Sequence, residues 1–115
     1  MKPLLVTISF AVSATLLASA GLAAGMMTGD KGMTLYVFDK DAKDKSNCYD
    51  ACAKLWPPYF AKGKAKGEGW TEIKRKDGTK QWAYDGKPLY YYADDKKAGD
   101  AKGEGFKGVW HTVME

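Results

Sequence analysis

Two cysteines and one histidine are the residues of this chain whose types and spacing could do chemistry. Cys48 and Cys52 are four residues apart, and His111 is the only histidine in 115 residues. Soft thiolates select Cu(I) and imidazole suits Cu(II), so the three side chains together make a possible copper site. Methionines within residues 26–33 could add thioether ligands. Copper binding or thiol-redox chemistry is therefore one hypothesis.

The same three residues also have a purely structural interpretation. An even number of cysteines favours a disulfide when the chain is exported, which the N-terminus indicates. Residues four apart on a helix rise about 6 Å, so closing the disulfide would distort a regular helix. Strand alternation places His111 on one face with Val109 and Val113, as expected for a core histidine hydrogen-bonded to backbone. The sequence thus favours a Cys48–Cys52 disulfide and keeps copper as the alternative.

Acidic residues cluster after two of the predicted strands and could hold Ca²⁺. They are Asp39, Asp41 and Asp44 in the first loop and Asp94, Asp95, Asp100 and Glu104 in the second. The spacing departs from the Asp-x-Asp-x-Asp-Gly calcium loop, because Lys43 occupies the third ligand position. We therefore expect Asp41 and Asp95 to accept hydrogen bonds from loop backbone and to shape both turns in the same way.

The aromatic residues offer a surface rather than a reaction. Alternation along Tyr90-Tyr91-Tyr92 puts the outer two rings on one face and the middle ring on the other. Exposed rings could bind sugars, peptides or a second copy, but packing in the core is the ordinary role of such residues. The chain has neither a Gly-x-Ser-x-Gly motif nor a Cys-x-x-Cys motif. Since no catalytic constellation is recognisable, we expect a protein that is not an enzyme.

Short strands separated by glycine turns must position these residues. β-Branched and aromatic runs predict strands over residues 33–38, 70–75, 80–84, 89–92 and 109–114. The Asp77-Gly78 pair predicts a hairpin between the second and third strands, and Asp85-Gly86 predicts another turn. Gly- and Lys-rich residues 62–69 read as a flexible loop. The fold class predicted is mainly β, a small antiparallel sheet with one short helix.

The helix is predicted to begin after Asn47, which can cap it, with Asp50 in its first turn. Cys48, Cys52 and Leu55 would then share one apolar face with Trp56. Pro57-Pro58 must end the helix, because neither proline has a backbone N–H to donate.

One segment of the sequence is repeated at an offset of 54 residues without a gap. The first copy covers residues 32–60 and the second covers residues 86–114, with the hairpin of residues 70–84 between them. A Gly-x-x-Leu-Tyr segment opens both copies. The residues shared by the copies are Tyr36, Asp41 and Trp56 in the first and Tyr90, Asp95 and Trp110 in the second. We expect Tyr36 and Tyr90 to occupy related positions about a pseudo-two-fold axis, with the hairpin completing the sheet.

The first 24 residues have the pattern of a secretory signal peptide. Lys2 precedes an apolar run, and small residues allow cleavage before Gly21 or before Gly25. The run is shorter than the roughly 20 residues of a spanning helix, so no membrane span is expected after cleavage. Only Lys2 among the charged residues is lost with this segment, so the formal charge falls from +4 by one, to +3. Residues 25–115 then form a single domain whose mixed charges do not indicate nucleic-acid binding.

These motifs together resemble one known family. Tyr36 and Asp41, like Tyr90 and Asp95, make a Tyr-x4-Asp motif. The segment Cys48-x3-Cys52-Ala53-x2-Trp56-Pro57-Pro58 and the closing Gly108-Val109-Trp110-His111 complete the pattern. Over residues 32–113 the chain resembles the bacterial secreted-repeat family of unknown function, also labelled a lipoprotein family. The resemblance implies a small exported β module and no known reaction.

The expectation from the sequence is an exported periplasmic module that binds a protein or small molecule of the cell envelope. No cysteine stands at the signal cleavage region, so a soluble form is expected rather than a lipid-anchored one. The alternative is a copper-binding or thiol-redox protein that uses Cys48, Cys52 and His111.

Overall fold

The computed structural model describes residues 25–115, and the predicted signal peptide of residues 1–24, with both its cleavage points, lies outside them. The elements in chain order are β1 (Tyr36–Phe38), α1 (Ala51–Leu55), β2 (Trp70–Lys74), β3 (Lys80–Tyr84), β4 (Lys87–Pro88) and β5 (Trp110–Thr112). Short 3-10 turns occur at Asp30–Gly32 and Phe106–Gly108. The predicted mainly β class with one short helix is confirmed.

The strands form two small antiparallel sheets rather than the single sheet expected. β1 pairs with β5, and β2, β3 and β4 make the second sheet in that order. Isolated bridges from Tyr90 to Tyr36 and to Pro58 connect the elements. The difference arises at the predicted strand 89–92, because Tyr90 pairs on both sides only as single bridges while β4 ends at Pro88.

Period-two alternation along the two repeat strands sorts the core into two clusters. Tyr36 and Tyr90 face the first cluster, which contains the tryptophans of both copies. Leu35 and Leu89 face the second cluster, with Met27, Tyr59 and Trp82. Tyr92 packs in the first cluster and Tyr91 against the second, as alternation predicts. The repeat strands are thus buried on both faces, and polar atoms of their side chains need partners inside the protein.

The hairpin between β2 and β3 forms at the predicted Asp-Gly pair. Gly78 has a φ of +90°, a conformation that glycine adopts without strain. The Gly78 N–H donates to Arg75 O at 2.9 Å, and the Arg75 N–H donates to Thr79 O at 2.8 Å. Asp77 Oδ1 accepts the Thr79 N–H at 3.0 Å. Local turn chemistry therefore explains this element, as expected.

The predicted start of the helix is wrong. α1 begins at Ala51, after Asp50 with a φ of +55°, so Cys48 and Asn47 lie outside it. The Asn47 N–H donates instead to Asp41 Oδ1 at 2.7 Å. The disulfide brings the Cα atoms of Cys48 and Cys52 to 5.3 Å, closer than the roughly 6 Å rise of a regular helix. The helix ends before Pro57, as predicted.

Candidate functional site

The tyrosine of each repeat copy donates its hydroxyl proton to the aspartate of the other copy. Tyr36 Oη lies 2.6 Å from Asp95 Oδ2, and Tyr90 Oη lies 2.7 Å from Asp41 Oδ2. Backbone bonds between the two tyrosines join the copies a second time, with N–O distances of 2.8 and 3.0 Å in the two directions. The aspartate that Tyr36 contacts, Asp95, stands 54 residues after Asp41, the aspartate that Tyr90 contacts. These two crossed hydrogen bonds are called the tyrosine exchange below, and the pseudo-two-fold axis expected from the sequence stays a prediction.

The second oxygen of each aspartate binds loop backbone, as expected from the sequence. Asp41 Oδ1 accepts the Asn47 N–H at 2.7 Å, and Asp95 Oδ1 accepts the Lys102 N–H at 2.9 Å. Burial raises the pKa of Asp41, and its hydrogen bonds oppose that effect. Each carboxylate therefore links the loop of its own copy to the strand of the other.

Burial also raises the pKa of both exchange tyrosines well above the ordinary value of 10.0. The hydrogen bond from Tyr36 to Asp95 raises the pKa of Tyr36 further, and the Asp41 charge does so for Tyr90. Both hydroxyls hence stay protonated at neutral pH and act as donors to the carboxylates. A catalytic phenolate would need the opposite shift of the pKa.

The tryptophans of the two copies stack on each other at the centre of the first cluster. Trp56 and Trp110 lie 3.8 Å apart between ring centroids at an angle of 3°. Trp110 stacks on Phe38 of the first copy at 4.2 Å, and Trp56 stacks on Tyr92 of the second copy at 4.3 Å. The four rings form one continuous stack in which each tryptophan covers a ring of the other copy.

Gly103 leaves room for this stack. A Cβ at this position would lie 2.6 Å from Trp56 Cη2. The Gly103 N–H also donates to Tyr36 Oη at 3.1 Å. Glycine is therefore required here because backbone approaches the ring and the hydroxyl closely.

A series of buried hydrogen bonds, called the buried polar chain below, continues from Tyr90 through Ser46 and Arg75 to Gln81. The sequence analysis did not predict it. Because the Tyr90 proton goes to Asp41, the Ser46 hydroxyl donates to Tyr90 Oη across 2.6 Å. Arg75 Nη1 donates to Ser46 Oγ at 3.0 Å and to Gln81 Oε1 at 2.7 Å. Gln81 Nε2 in turn donates to Leu89 O at 2.8 Å.

Arg75 is the centre of that chain, and one feature of the sequence signals it. It is the only arginine among 18 basic residues, and it is buried. Its second terminal nitrogen donates to Cys48 O at 2.7 Å, and its guanidinium carbon lies 4.2 Å from the centroid of the Tyr49 ring. A planar fork of several donors suits such a site better than a lysine ammonium does.

The predicted disulfide is present. Cys48 and Cys52 are bonded to each other, and Cys48 is fully buried in the first cluster. The Cys48 N–H donates to Ser46 Oγ at 3.2 Å, so the disulfide and the buried polar chain support each other. So short a closed loop contributes about 2 kcal/mol on the chain-entropy model.

His111 is paired with carboxylates, so the expectation of a core histidine bonded to backbone is wrong. Its Nε2 lies 2.9 Å from Asp39 Oδ2, and its Nδ1 lies 3.8 Å from Glu104 Oε2. The side chain is 38% exposed. β5 lies at the outside of its sheet, and β1 ends just before Asp39, which brings the two side chains together. The hydrogen bond to Asp39 raises the pKa of His111 above its ordinary value of 6.5.

The structure does not bring the three proposed copper ligands together as a cluster. Both sulfurs are used in the disulfide, and His111 contacts Asp39 and Glu104. Across residues 25–115, no group of three or more His, Cys, Asp or Glu side chains has an arrangement that could hold a metal ion. Thiolate ligation of copper would first require reduction of the disulfide, and it stays a prediction.

The raised pKa of His111 makes pairing of β1 with β5 dependent on pH. The His111 pKa is higher in the folded state than in the unfolded state. The stabilisation that protonated His111 gains from Asp39 is therefore fully present below pH 6.5, and it is lost as the pH rises through the folded-state pKa. Because the side chain is exposed, we expect an effect below about 1 kcal/mol. An NMR titration of the imidazole should give a pKa above 6.5 that falls in Asp39→Asn. Glu104→Gln is the matched control and should lower it less; an unchanged pKa in Asp39→Asn would contradict this assignment.

A cleft lies between the loop of residues 39–45 and the turn of residues 85–88. Its volume is about 390 Å³. Val37, Phe38 and Pro88 supply apolar lining. The Asp44 N–H donates to Gly86 O at 2.8 Å and ties the two walls together.

Charges of both signs surround the apolar lining of this cleft. The carboxylates are those of Asp39, Asp41 and Asp85, and the ammonium groups are those of Lys43 and Lys87. Clefts of about 300–1,000 Å³ with apolar walls and a few polar groups are typical ligand sites. The cleft borders on the tyrosine exchange through Asp41, so the scaffold of the repeat holds one wall of it.

Within residues 25–115, none of the helices is both long enough and apolar enough to span a bilayer.

Comparison with known proteins identifies the family through the repeat. The family model described as a secreted repeat of unknown function matches the chain twice, over residues 23–60 and over residues 71–114. No curated protein and no solved structure matches the chain. The two matches contain all six residues of the exchange and of the central tryptophan pair. The chain therefore belongs to the family of secreted repeats of unknown function and is an exported protein.

Proposed function

We propose that this exported protein is a non-enzymatic binding module of the periplasm and that the cleft between residues 39–45 and 85–88 takes its ligand. The observation that carries the proposal is the cleft itself, about 390 Å³ with an apolar lining and charges of both signs. Such a lining suits a small ligand that has an ammonium group, a carboxylate and an apolar part. Amino acids and short peptides have this chemistry.

The polar side chains of the site support binding rather than catalysis. Asp41 holds two hydrogen bonds inside the protein, from Tyr90 and from Asn47. Asp39 is paired with His111. These groups hold the walls of the cleft in place, and a general base or nucleophile would have to give up its structural partner before it could react.

Titration with a panel of amino acids and dipeptides, followed by backbone NMR, tests the proposal. We expect the resonances of Val37, Lys43 and Gly86 to shift with a common dissociation constant for at least one probe. Ala42→Trp should abolish these shifts, because Ala42 is exposed and lines the cleft, so that an indole there fills it. The spectrum of the bound probe should stay unchanged with time, since no reaction is expected.

Ala98→Trp is the matched control for this experiment. Ala98 is an exposed alanine that does not line the cleft, so this variant should bind the probe as the native protein does. Shifts that survive in Ala42→Trp, or that map away from the cleft, would contradict the assignment. Conversion of the probe would contradict the non-enzymatic role.

A further inference from the structure

Three aromatic rings lie around the ammonium group of Lys66. Its Nζ is 5.1 Å from the centroid of Trp70, 5.6 Å from that of Tyr59 and 5.9 Å from that of Trp82. A cation within about 6 Å of a ring centroid is attracted by the negative charge density of the ring face. One ammonium group therefore contacts three rings at once, and these three rings are called the aromatic cage below.

The rings of the aromatic cage are arranged as walls rather than as a stack. The ring planes of Tyr59 and Trp70 meet at 84°, and those of Trp70 and Trp82 meet at 87°. Tyr59 and Trp82 are buried residues of the second cluster, and Trp70 packs against that cluster. β2 and β3 hold the two tryptophans, and the Trp82 N–H joins Tyr59 to β3 by donating to Tyr59 O at 2.9 Å.

Lys66 itself comes from a segment that packs loosely. Residues 62–68 are exposed, and an added Cβ at Gly63 or Gly67 would have no atom within 4 Å. The flanking backbone bonds are Ala61 N–H to Lys80 O at 2.8 Å and Trp70 N–H to Gly67 O at 3.2 Å. A glycine-rich segment between two such anchors costs little free energy to move. Lys66 is thus an occupant that can leave the cage.

We propose that Tyr59, Trp70 and Trp82 form a binding site for a trimethylammonium group, as in choline, and that Lys66 fills the site when no ligand is bound. A lysine ammonium is compact and strongly hydrated, so it loses much of its hydration when it enters the cage. Methyl groups on nitrogen spread the charge and add apolar surface, and aromatic cages recognise such cations for this reason. The aromatic cage shares no residue with the lining of the cleft, so either proposal can fail without the other.

Titration with tetramethylammonium chloride and with choline chloride, followed by the indole N–H signals of Trp70 and Trp82, tests the site. We expect both probes to shift these signals, and sodium chloride at equal ionic strength to leave them unchanged. Lys66→Ala removes the internal competitor and should tighten the apparent dissociation constant by about threefold to tenfold, as for a site open only part of the time.

Two further variants decide between the aromatic cage and a general effect of charge. Lys64→Ala removes the same charge from the same segment. Among the lysines of residues 62–68 only Lys66 lies over the three rings, so the Lys64→Ala variant should bind as the native protein does. Trp70→Leu should abolish binding, while Trp70→Phe keeps a ring and should bind more weakly. Equal affinities in Lys66→Ala and Lys64→Ala, or binding retained in a folded Trp70→Leu, would falsify the proposal.

Vesicles distinguish the two sources of a trimethylammonium group. Phosphatidylcholine vesicles should shift the Trp70 and Trp82 signals if the site accepts a lipid headgroup, with phosphatidylglycerol vesicles as the control. Binding of choline without binding of vesicles would identify a free small molecule as the ligand. Vesicle binding that does not depend on Lys66 or Trp70 would contradict the site.

Discussion

Replacing Trp56 with alanine is expected to remove most of the free energy of unfolding of the domain. The ring is 2% exposed and stacks on Trp110 at 3.8 Å and on Tyr92 at 4.3 Å. Its edge contact with Tyr36 at 5.3 Å also links it to the tyrosine exchange. Removing a buried tryptophan costs about 3–5 kcal/mol, because transfer free energy is lost and a cavity remains. Small domains have total stabilities near the lower end of about 5–15 kcal/mol.

Thermal melting monitored by near-ultraviolet circular dichroism measures this effect. For a domain of this size each kcal/mol corresponds to about 4–8 °C, so Trp56→Ala should lower the melting temperature by more than about 12 °C. Trp110→Ala should have a comparable effect, since Trp110 holds the equivalent place in the stack. Phe60→Ala is the control, because Phe60 is 41% exposed. If Trp56→Ala does not fold, Trp56→Phe should still fold and show a smaller drop in melting temperature. A drop of only a few degrees in Trp56→Ala would contradict the central role of the stack.

Tyr90→Phe is expected to destabilise the protein by about 1–3 kcal/mol, because it removes one of the two hydrogen-bond donors of the half-buried Asp41 carboxylate. The Ser46 hydroxyl loses its acceptor at the same time. Tyr36→Phe should have a similar cost through Asp95, which is buried and accepts the Tyr36 proton at 2.6 Å. Urea denaturation of each variant measures the free energy of unfolding.

Double-mutant cycles then show whether the coupling crosses between the copies. Tyr90→Phe with Asp41→Asn should have a coupling energy of about 0.5–3 kcal/mol, as for groups in direct contact. Tyr90→Phe with Asp95→Asn should be additive within about 0.5 kcal/mol, although these two residues belong to the same copy. Stronger coupling within a copy than between copies would rule out the exchanged hydrogen bonds.

Local chemistry explains the elements that the sequence predicted well. The hairpin at Asp77-Gly78 forms where a positive φ is needed, and Pro57 ends the helix because it has no N–H to donate. β3 has the predicted bounds, and β2 ends one residue earlier than predicted. The alternation that separates Tyr91 from Tyr90 and Tyr92 also holds. Each of these features depends on residues that are neighbours in the chain.

The errors occur where a residue outside the predicted element bonds to one of its groups. The helix was expected to begin after Asn47, but Asp41 takes the Asn47 N–H and the disulfide pulls Cys48 out of a helical path. His111 was expected in the core, but Asp39 draws it to the edge of the sheet. The single arginine was a visible signal for Arg75, yet its partners Ser46 and Gln81 are 29 and 6 residues away.

The sequence by itself determined the mainly β class, the 54-residue repeat, the disulfide and the family, because these depend on residue types and on their spacing along the chain. Only the tertiary structure decided that each tyrosine binds the aspartate of the other copy, and that the two tryptophans stack on each other. A repeat in the sequence is equally compatible with contacts inside a copy and between copies. Both repeat strands are buried on both faces, so each buried tyrosine hydroxyl needs an acceptor inside the protein. The folded structure places the aspartate of the other copy beside it, although that aspartate is far away in the sequence.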